Sequence, residues 1–239
     1  MKRSCSLELA LLLACAVPAS AGPDSAAFFY GSKVPAGLLS ADWLVVDPRN
    51  LQTPLPRSGS RELICYASAG EFDKASVAGL PGSQHWSIGR NADWKTEIGD
   101  LRSGSYRDHI TRDLLAPMAG ACDGFFLDTI DSYSAAVQEK DQAAYRAAAA
   151  SFLEEVKAAW PGKLLVLNRG FELLPLLKPG TVDAVAAESL YRGFDTAARQ
   201  YRAMTQDETS WLRARLSSAA ASGLPVLVID YLPPGDKAG

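Results

Sequence analysis

The segment Gly124-Phe125-Phe126-Leu127-Asp128-Thr129-Ile130-Asp131 constrains this chain most, because an apolar run closes abruptly on two acids three residues apart. A Phe-Phe-Leu run bounded by Gly and Asp fits a strand covered on both faces, the condition of parallel strands in α/β proteins. Such folds place chemistry at the carboxyl ends of their strands, which is where Asp128 stands. Comparable endings recur. Leu44-Val45-Val46-Asp47, Leu63-Ile64-Cys65-Tyr66 leading to Glu71, Leu165-Val166-Leu167-Asn168, Val185-Ala186-Ala187-Glu188 and Val226-Leu227-Val228-Ile229-Asp230-Tyr231 all pass from apolar into polar. A series of this kind, separated by helical stretches, predicts a TIM-type (β/α)8 barrel with a polar rim at one mouth.

The 239 residues, 48% apolar and 21% charged, are enough for one globular domain with a substantial core. A net charge of −3 and a pI near 5.5 argue against a nucleic-acid partner and point to an uncharged or cationic one. Lys2 and Arg3 precede an apolar stretch from Leu9 to Val17, and Ala19-Ser20-Ala21 offers small residues for cleavage before Gly22. Residues 1–21 therefore read as an export signal and residues 22–239 as the mature domain, periplasmic or secreted. No later stretch approaches the ~20 apolar residues of a spanning helix. Leu12-Leu13-Ala14-Cys15 partly resembles a lipoprotein box, so a lipid anchor at Cys15 is the alternative to free release. In the mature chain Cys65 and Cys122 are compatible with a disulfide without requiring one. Together with His85 and His109 they lack the close pairing of a zinc site, and no metal or cofactor is expected.

Along the chain, Phe28 to Gly31, Trp43 to Asp47 and Arg61 to Tyr66 read as the first three strands. Residues 72–100 look irregular, with glycines interleaved with Trp86 and Trp94, as in a long functional loop. Helices are expected over Ser105 to Met118, Ser134 to Trp160, Asp195 to Met204 and Ser210 to Ala221. Seven strands are convincing and an eighth is not. The expectation is a barrel lacking its last strand, truncated at the C-terminus, unless Gln84 to Ile88 supplies the missing piece.

Several motifs now stand in order: Tyr66-Ala67-Ser68-Ala69-Gly70-Glu71, Asn91-Ala92-Asp93-Trp94, Gly124 through Tyr133, Asn168-Arg169-Gly170-Phe171-Glu172 and Ala187-Glu188-Ser189-Leu190. Together they resemble the endo-α-1,4-polygalactosaminidase-like glycoside hydrolases, over about Phe28 to Tyr231. The resemblance implies a TIM-type barrel that cleaves α-1,4 linkages in galactosamine or N-acetylgalactosamine polymers. It also implies that the paired acids are Asp128 and Glu188, and that the partners are an exopolysaccharide substrate and its export machinery.

Breaking a glycosidic bond needs an acid for the leaving oxygen and a second carboxylate at the anomeric carbon, because the transition state is oxocarbenium-like. By analogy with retaining α-galactosidases, Asp128 takes the nucleophile's role and Glu188 that of general acid/base. Glu71 stands where it could hold sugar hydroxyls or an amine, with an ion pair to a loop Lys or Arg as the alternative, and Asp47, Asn168 and Asp230 could add hydrogen bonds at the rim, with a purely structural role as theirs. Tyr66, Trp94, Tyr133, Tyr191 and Tyr231 offer rings for the apolar faces of sugars, although core packing suits Tyr66 and Tyr231 equally. Arg192 is a candidate contact, Arg169 or Arg192 would be a structural partner for Glu188, and Asp131 is a candidate contact or a helix cap. Two other readings compete: a non-catalytic carbohydrate-binding barrel that assists export, and a metal-dependent deacetylase, for which no His-x-x-x-His cluster speaks.

Overall fold

The apolar runs become parallel strands in a computed structural model that describes residues 22–55, 59, 61–233 and 235–236. The expected leader, with Cys15, lies outside the described residues. In chain order the elements are β1 (Ala26–Phe29), β2 (Trp43–Val46), β3 (Glu62–Ser68), β4 (Glu71–Phe72), β5 (Ser87–Asn91) and β6 (Thr96–Gly99). Helix α1 (Gly104–His109) continues through a wide turn into α2 (Ala116–Ala119). Then come β7 (Gly124–Asp128), α3 (Glu139–Ala159), β8 (Leu164–Asn168), β9 (Ala184–Glu188), β10 (Arg192–Asp195), β11 (Gln200–Ala203), α4 (Gln206–Ala221) and β12 (Val226–Ile229).

Seven strands form one sheet in the order β1-β2-β3-β7-β8-β9-β12, every neighbouring pair parallel. Helices flank it. Its two edges, β1 and β12, approach at the foot, where a Cβ built on Gly22 would lie 2.9 Å from the Cβ of Pro225. The result is a nearly closed barrel of the (β/α)8 type that lacks the eighth unit among the described residues.

Strand side chains alternate between faces, so each apolar run serves two cores. Val45, Ile64, Phe126, Val166 and Ala186 point inward and pack together, with Phe28, Leu227 and Ile229 against them. The residues between them, among them Cys65, Phe125, Leu127, Leu165, Leu167 and Val185, point outward onto helix residues such as Ile110, Tyr145, Phe152, Val156 and Leu212. Covering both faces explains why the runs read as continuously apolar rather than alternating. On the outer side a disulfide joins Cys65 to Cys122, with Cα atoms 5.9 Å apart.

Two segments differ from the sequence expectation. Residues 72–100 are not a structureless loop: β4, β6 and β5 form a small antiparallel sheet, bulged between Ser87 and Gly89. Ser87 to Asn91 thus belongs to this sheet and not to the barrel. Trp86 is 2% exposed, its ring packed on Phe72, Tyr106 and His109, a core role that its glycine-rich surroundings conceal. Asp195 to Met204, expected as a helix, contributes instead to the hairpin β10–β11. Tertiary contacts override local propensity there, since Tyr231 and Met204 donate backbone N–H groups to the carbonyls of Arg192 and Tyr191. Helix α3 begins at Glu139, after a tight turn over Ser132–Ala135 that Asp131 does not cap with its side chain. Helix α4 starts with a capping box in which Thr205 and Glu208 satisfy each other's backbone N–H groups.

Candidate active site

Extending each inward series by one alternation reaches the top of the barrel, and there the residues turn polar. Phe28 leads to Tyr30, Val45 to Asp47, Ile64 to Tyr66, Phe126 to Asp128, Val166 to Asn168, Ala186 to Glu188 and Ile229 to Tyr231. All seven line one cavity of about 900 Å³. Period-two geometry thus converts seven apolar runs into a ring of seven polar side chains at one mouth.

Within the ring, Asn168 joins the two acids. Its Nδ2 donates to Asp128 Oδ1 at 2.8 Å and to Glu188 Oε1 at 3.0 Å. Asp128 also accepts from the Tyr66 hydroxyl at 2.8 Å and from the backbone N–H of Thr129 at 2.8 Å. Glu188 accepts from the Tyr231 hydroxyl on its other oxygen. Burial pushes the Glu188 carboxyl above its ordinary range, the Tyr231 hydroxyl pulls it back, and the Asp128 charge raises it again. Burial and the Asp128 charge raise the hydroxyls of Tyr30 and Tyr66, with Glu188 adding to the rise at Tyr30, so both stay neutral.

The backbone around these side chains is unusual. Thr129 and Arg169, which directly follow Asp128 and Asn168, adopt left-handed φ angles of 61° and 60°. Such angles are uncommon outside glycine, most of all for a β-branched residue, and persist only where surroundings over-determine them. For Thr129 the surroundings are visible: its hydroxyl meets Ser68 Oγ at 2.9 Å and the N–H of Gly70 at 3.0 Å. Gly70 itself lies so close that a Cβ there would sit 1.8 Å from the Thr129 carbonyl oxygen, which accounts for the glycine in Ala69-Gly70-Glu71. The Arg169 guanidinium donates to the Glu188 carbonyl. The peptide bond after Glu188 is cis.

Glu71 is buried beside this ring, and its carboxylate accepts from Asn91, Thr96 and Ser132, which ties the small β4–β6–β5 sheet to the turn after β7. Asp47 forms a two-pronged ion pair with Arg49, with contacts of 2.9 and 2.8 Å. Asp131 lines the cavity without a capping bond, and burial raises it to about 6 against the pull of Arg169. Trp94 projects from the β5–β6 turn, 69% exposed, yet still borders the cavity. The remaining candidates fall elsewhere. Tyr133 is 3% exposed and stacked on Tyr145, 4.4 Å between ring centres. Asp230 has outward parity, and its Oδ1 accepts the backbone N–H groups of Leu190, Tyr191 and Arg192. Tyr191 and Arg192 are exposed beyond the cavity lining, Tyr191 beneath the Arg213 guanidinium. Tyr30 and Arg49 line the cavity without having been singled out in the sequence, and Arg169, expected as a structural partner of Glu188, lines it too. Tyr30 was within reach of the alternation from Phe28, whereas Arg49 carries no local signal. Among the described residues no group of three or more His, Cys, Asp or Glu side chains is placed to hold a metal ion.

Comparisons with known proteins agree with this geometry. The structure is similar to that of the glycoside hydrolase domain of PelA from Pseudomonas aeruginosa, at 37% identity over 89% of this chain and 86% of that one, with a TM-score of 0.79. It also shares its fold with Aspergillus fumigatus Ega3, solved in complex with galactosamine, at 18% identity over 90% and 78% of the two chains and a TM-score of 0.57. A search of curated proteins finds no match. The model of glycoside-hydrolase family GH114 matches residues 25–239. With a family model over almost the whole described chain and two carboxylates bridged at the mouth of its barrel, this protein belongs to glycoside-hydrolase family GH114.

Proposed function

We propose that the chain cleaves α-1,4 linkages within a galactosamine- or N-acetylgalactosamine-rich exopolysaccharide, with Asp128 as nucleophile, Glu188 as general acid/base and retention of configuration. The observation that carries this reading is the shared Asn168 nitrogen. An atom 2.8 Å from one carboxyl oxygen and 3.0 Å from the other keeps those oxygens within their sum, about 5.8 Å. Retaining enzymes hold their carboxyl groups ~5–5.5 Å apart, and inverting ones ~6.5–9.5 Å with a water between. In the first step an Asp128 oxygen bonds to the anomeric carbon as the glycosidic C–O bond breaks and the Glu188 proton passes to the leaving oxygen. In the second, Glu188 takes a proton from water, whose oxygen displaces Asp128. A raised Glu188 suits the acid role, since the group must carry its proton near neutral pH.

The substrate class draws support from charge. Asp47, Glu71, Asp73, Asp128, Asp131 and Glu188 line the cavity against two arginines, Arg49 and Arg169, which favours a polymer bearing free amines. Galactosamine bound to Ega3 fits the same reading. Among the rim candidates, Trp94 offers a ring for a distal sugar, and Asp47 and Glu71 act chiefly through the contacts that order Arg49, Asn91 and Thr96. Export to the periplasm or beyond is supported by the leader-like residues 1–21 and by the Cys65–Cys122 disulfide, a bond that persists in oxidising compartments. No helix among the described residues is long and apolar enough to cross a membrane.

The test is incubation of residues 22–239 with α-1,4-galactosaminoglycan of defined acetylation, with products read by mass spectrometry and their first-formed anomer by NMR. Oligosaccharides released with the α configuration, and none from Asp128→Asn or Glu188→Gln, are expected. A polymer that binds without being shortened would make the barrel a binding module, and a β product would overturn retention.

A further inference from the structure

Tyr231 stands where a complete barrel would have a further strand. It lies two residues beyond Ile229 on the inward series of β12, at the sheet edge facing β1. No ladder continues there among the described residues, and the backbone is fixed by other means. Asp230, pointing outward, accepts three successive backbone N–H groups at 2.7, 3.0 and 3.1 Å, and the N–H of Tyr231 donates to the Arg192 carbonyl at 3.1 Å. The Asp230 side chain and the Tyr231 backbone N–H are thus both tied to the loop that follows Glu188. The phenol is thereby delivered to Glu188 from the side opposite Asn168.

We infer that Tyr231 is a positioning residue for Glu188, its hydroxyl holding one carboxyl oxygen from the open seam of the barrel while Asn168 holds the other from within the sheet. The inference rests on the proposed role of Glu188 and goes beyond it. Sequence alone suggested a ring for stacking or for core packing, but the hydroxyl's engagement with the Glu188 carboxyl gives it a different task. Glu188 must be neutral for the first step and charged for the second. A phenol donates to the carboxylate and accepts from the carboxylic acid, so it keeps the oxygen in place through both states. The charged and titratable groups facing Glu188 are Asp128 from β7, Arg169 after β8, Tyr231 itself and Tyr30 from β1. Of these, the Tyr231 hydrogen bond and, more weakly, the Arg169 charge favour the charged form of Glu188, and the Asp128 charge opposes it.

Tyr231→Phe separates the two tasks because it keeps the ring and removes the hydroxyl. The expected result is a fall in kcat of about 10- to 100-fold with KM changed less than about 2-fold. Activity requires protonated Glu188 and fades as pH rises through its pKa. Losing a bond that favours the charged form therefore moves the alkaline limb of the pH profile upward, by about half to one unit. Asp230→Asn, which leaves Tyr231 in place but loosens its clamp, should move the limb the same way by less. Infrared titration of ¹³C-labelled carboxyl groups, with Glu188→Gln to assign the band, reads the Glu188 midpoint without any turnover. An upward midpoint in Tyr231→Phe supports the inference even if no galactosamine polymer is cleaved, an outcome that would instead defeat the proposed function. Tyr231→Phe matching the parent in kcat and pH profile would leave the ring as a stacking platform and overturn the inference. So would a lowered melting temperature with the Glu188 midpoint unmoved.

Discussion

Asn168 donates one side-chain nitrogen to both Asp128 and Glu188, so the spacing of the two acids is set by a neutral residue on the strand between theirs. Two carboxylates this close repel each other, and a shared donor offsets part of that cost while fixing their directions. The arrangement follows from strand order, since β8 lies between β7 and β9: Asn168 continues the register beside Asp128, and Glu188 stands one inward alternation beyond Ala186, the residue paired with Asn168.

Replacing Asn168 by Ala should therefore damage catalysis more than folding. Relaxing the acids by even ~1 Å is expected to lower kcat by about 100-fold. Steady-state kinetics on the polymer check this, with circular dichroism and melting temperature close to the parent's. A KM effect with kcat preserved would make Asn168 a sugar contact instead.

Asp131 predicts a pH-dependent stability. Burial raises its folded-state pKa from 3.8 to about 6, so the native state binds a proton that the unfolded chain releases between those values. Stability from this group is greatest below about pH 4 and falls as pH rises through about 6, with an upper bound of about 3 kcal/mol for the loss. Asp131→Asn should melt above the parent at pH 8, and the advantage should vanish near pH 4. Calorimetry at the two pH values decides it, and an equal gain at both would assign the effect to packing.

Gly70 is confined by its neighbour rather than by its φ angle. A methyl group at this position would meet the Thr129 carbonyl oxygen at 1.8 Å, a distance no rotamer can relieve. Gly70→Ala must push apart β3 and the turn after β7, at a cost of about 1–3 kcal/mol or more. The same displacement moves Asp128, so hydrolysis should fall along with the melting temperature. A fully active, equally stable variant would show that this junction yields.

The disulfide closes a loop with a sequence separation of 57 residues between β3 and the segment before β7. Chain-entropy reasoning for a loop of that length gives about 4 kcal/mol of stabilisation. Denaturant unfolding of the Cys65→Ala/Cys122→Ala double variant should show a loss of that order. Because both sulfurs lie on the outer face, away from the cavity, kcat at low temperature should be unchanged.

Much of the fold was legible because both faces of a parallel sheet are buried. Seven apolar runs ending in polar residues announced seven strands and the mouth at which Asp128, Asn168 and Glu188 meet. What misled was segments whose structure depends on partners far along the chain. Trp86 sits among glycines yet fills the core against Tyr106, and the stretch from Asp195 has helical composition but pairs as a hairpin rooted on Tyr231. Tyr133 and Asp230 resembled rim residues by position alone. Packing took the ring of Tyr133 to Tyr145, and strand parity turned Asp230 outward to the backbone of residues 190–192.

The order of apolar and polar residues by itself determined that strands of period two would lift a set of polar side chains to one end. Only the curvature of the sheet decided which of them face each other, that Asn168 falls between the acids, and that Tyr231 reaches Glu188 from the strand at the seam. Alternation is a local property of the chain, whereas distances across a barrel depend on how every strand packs at once.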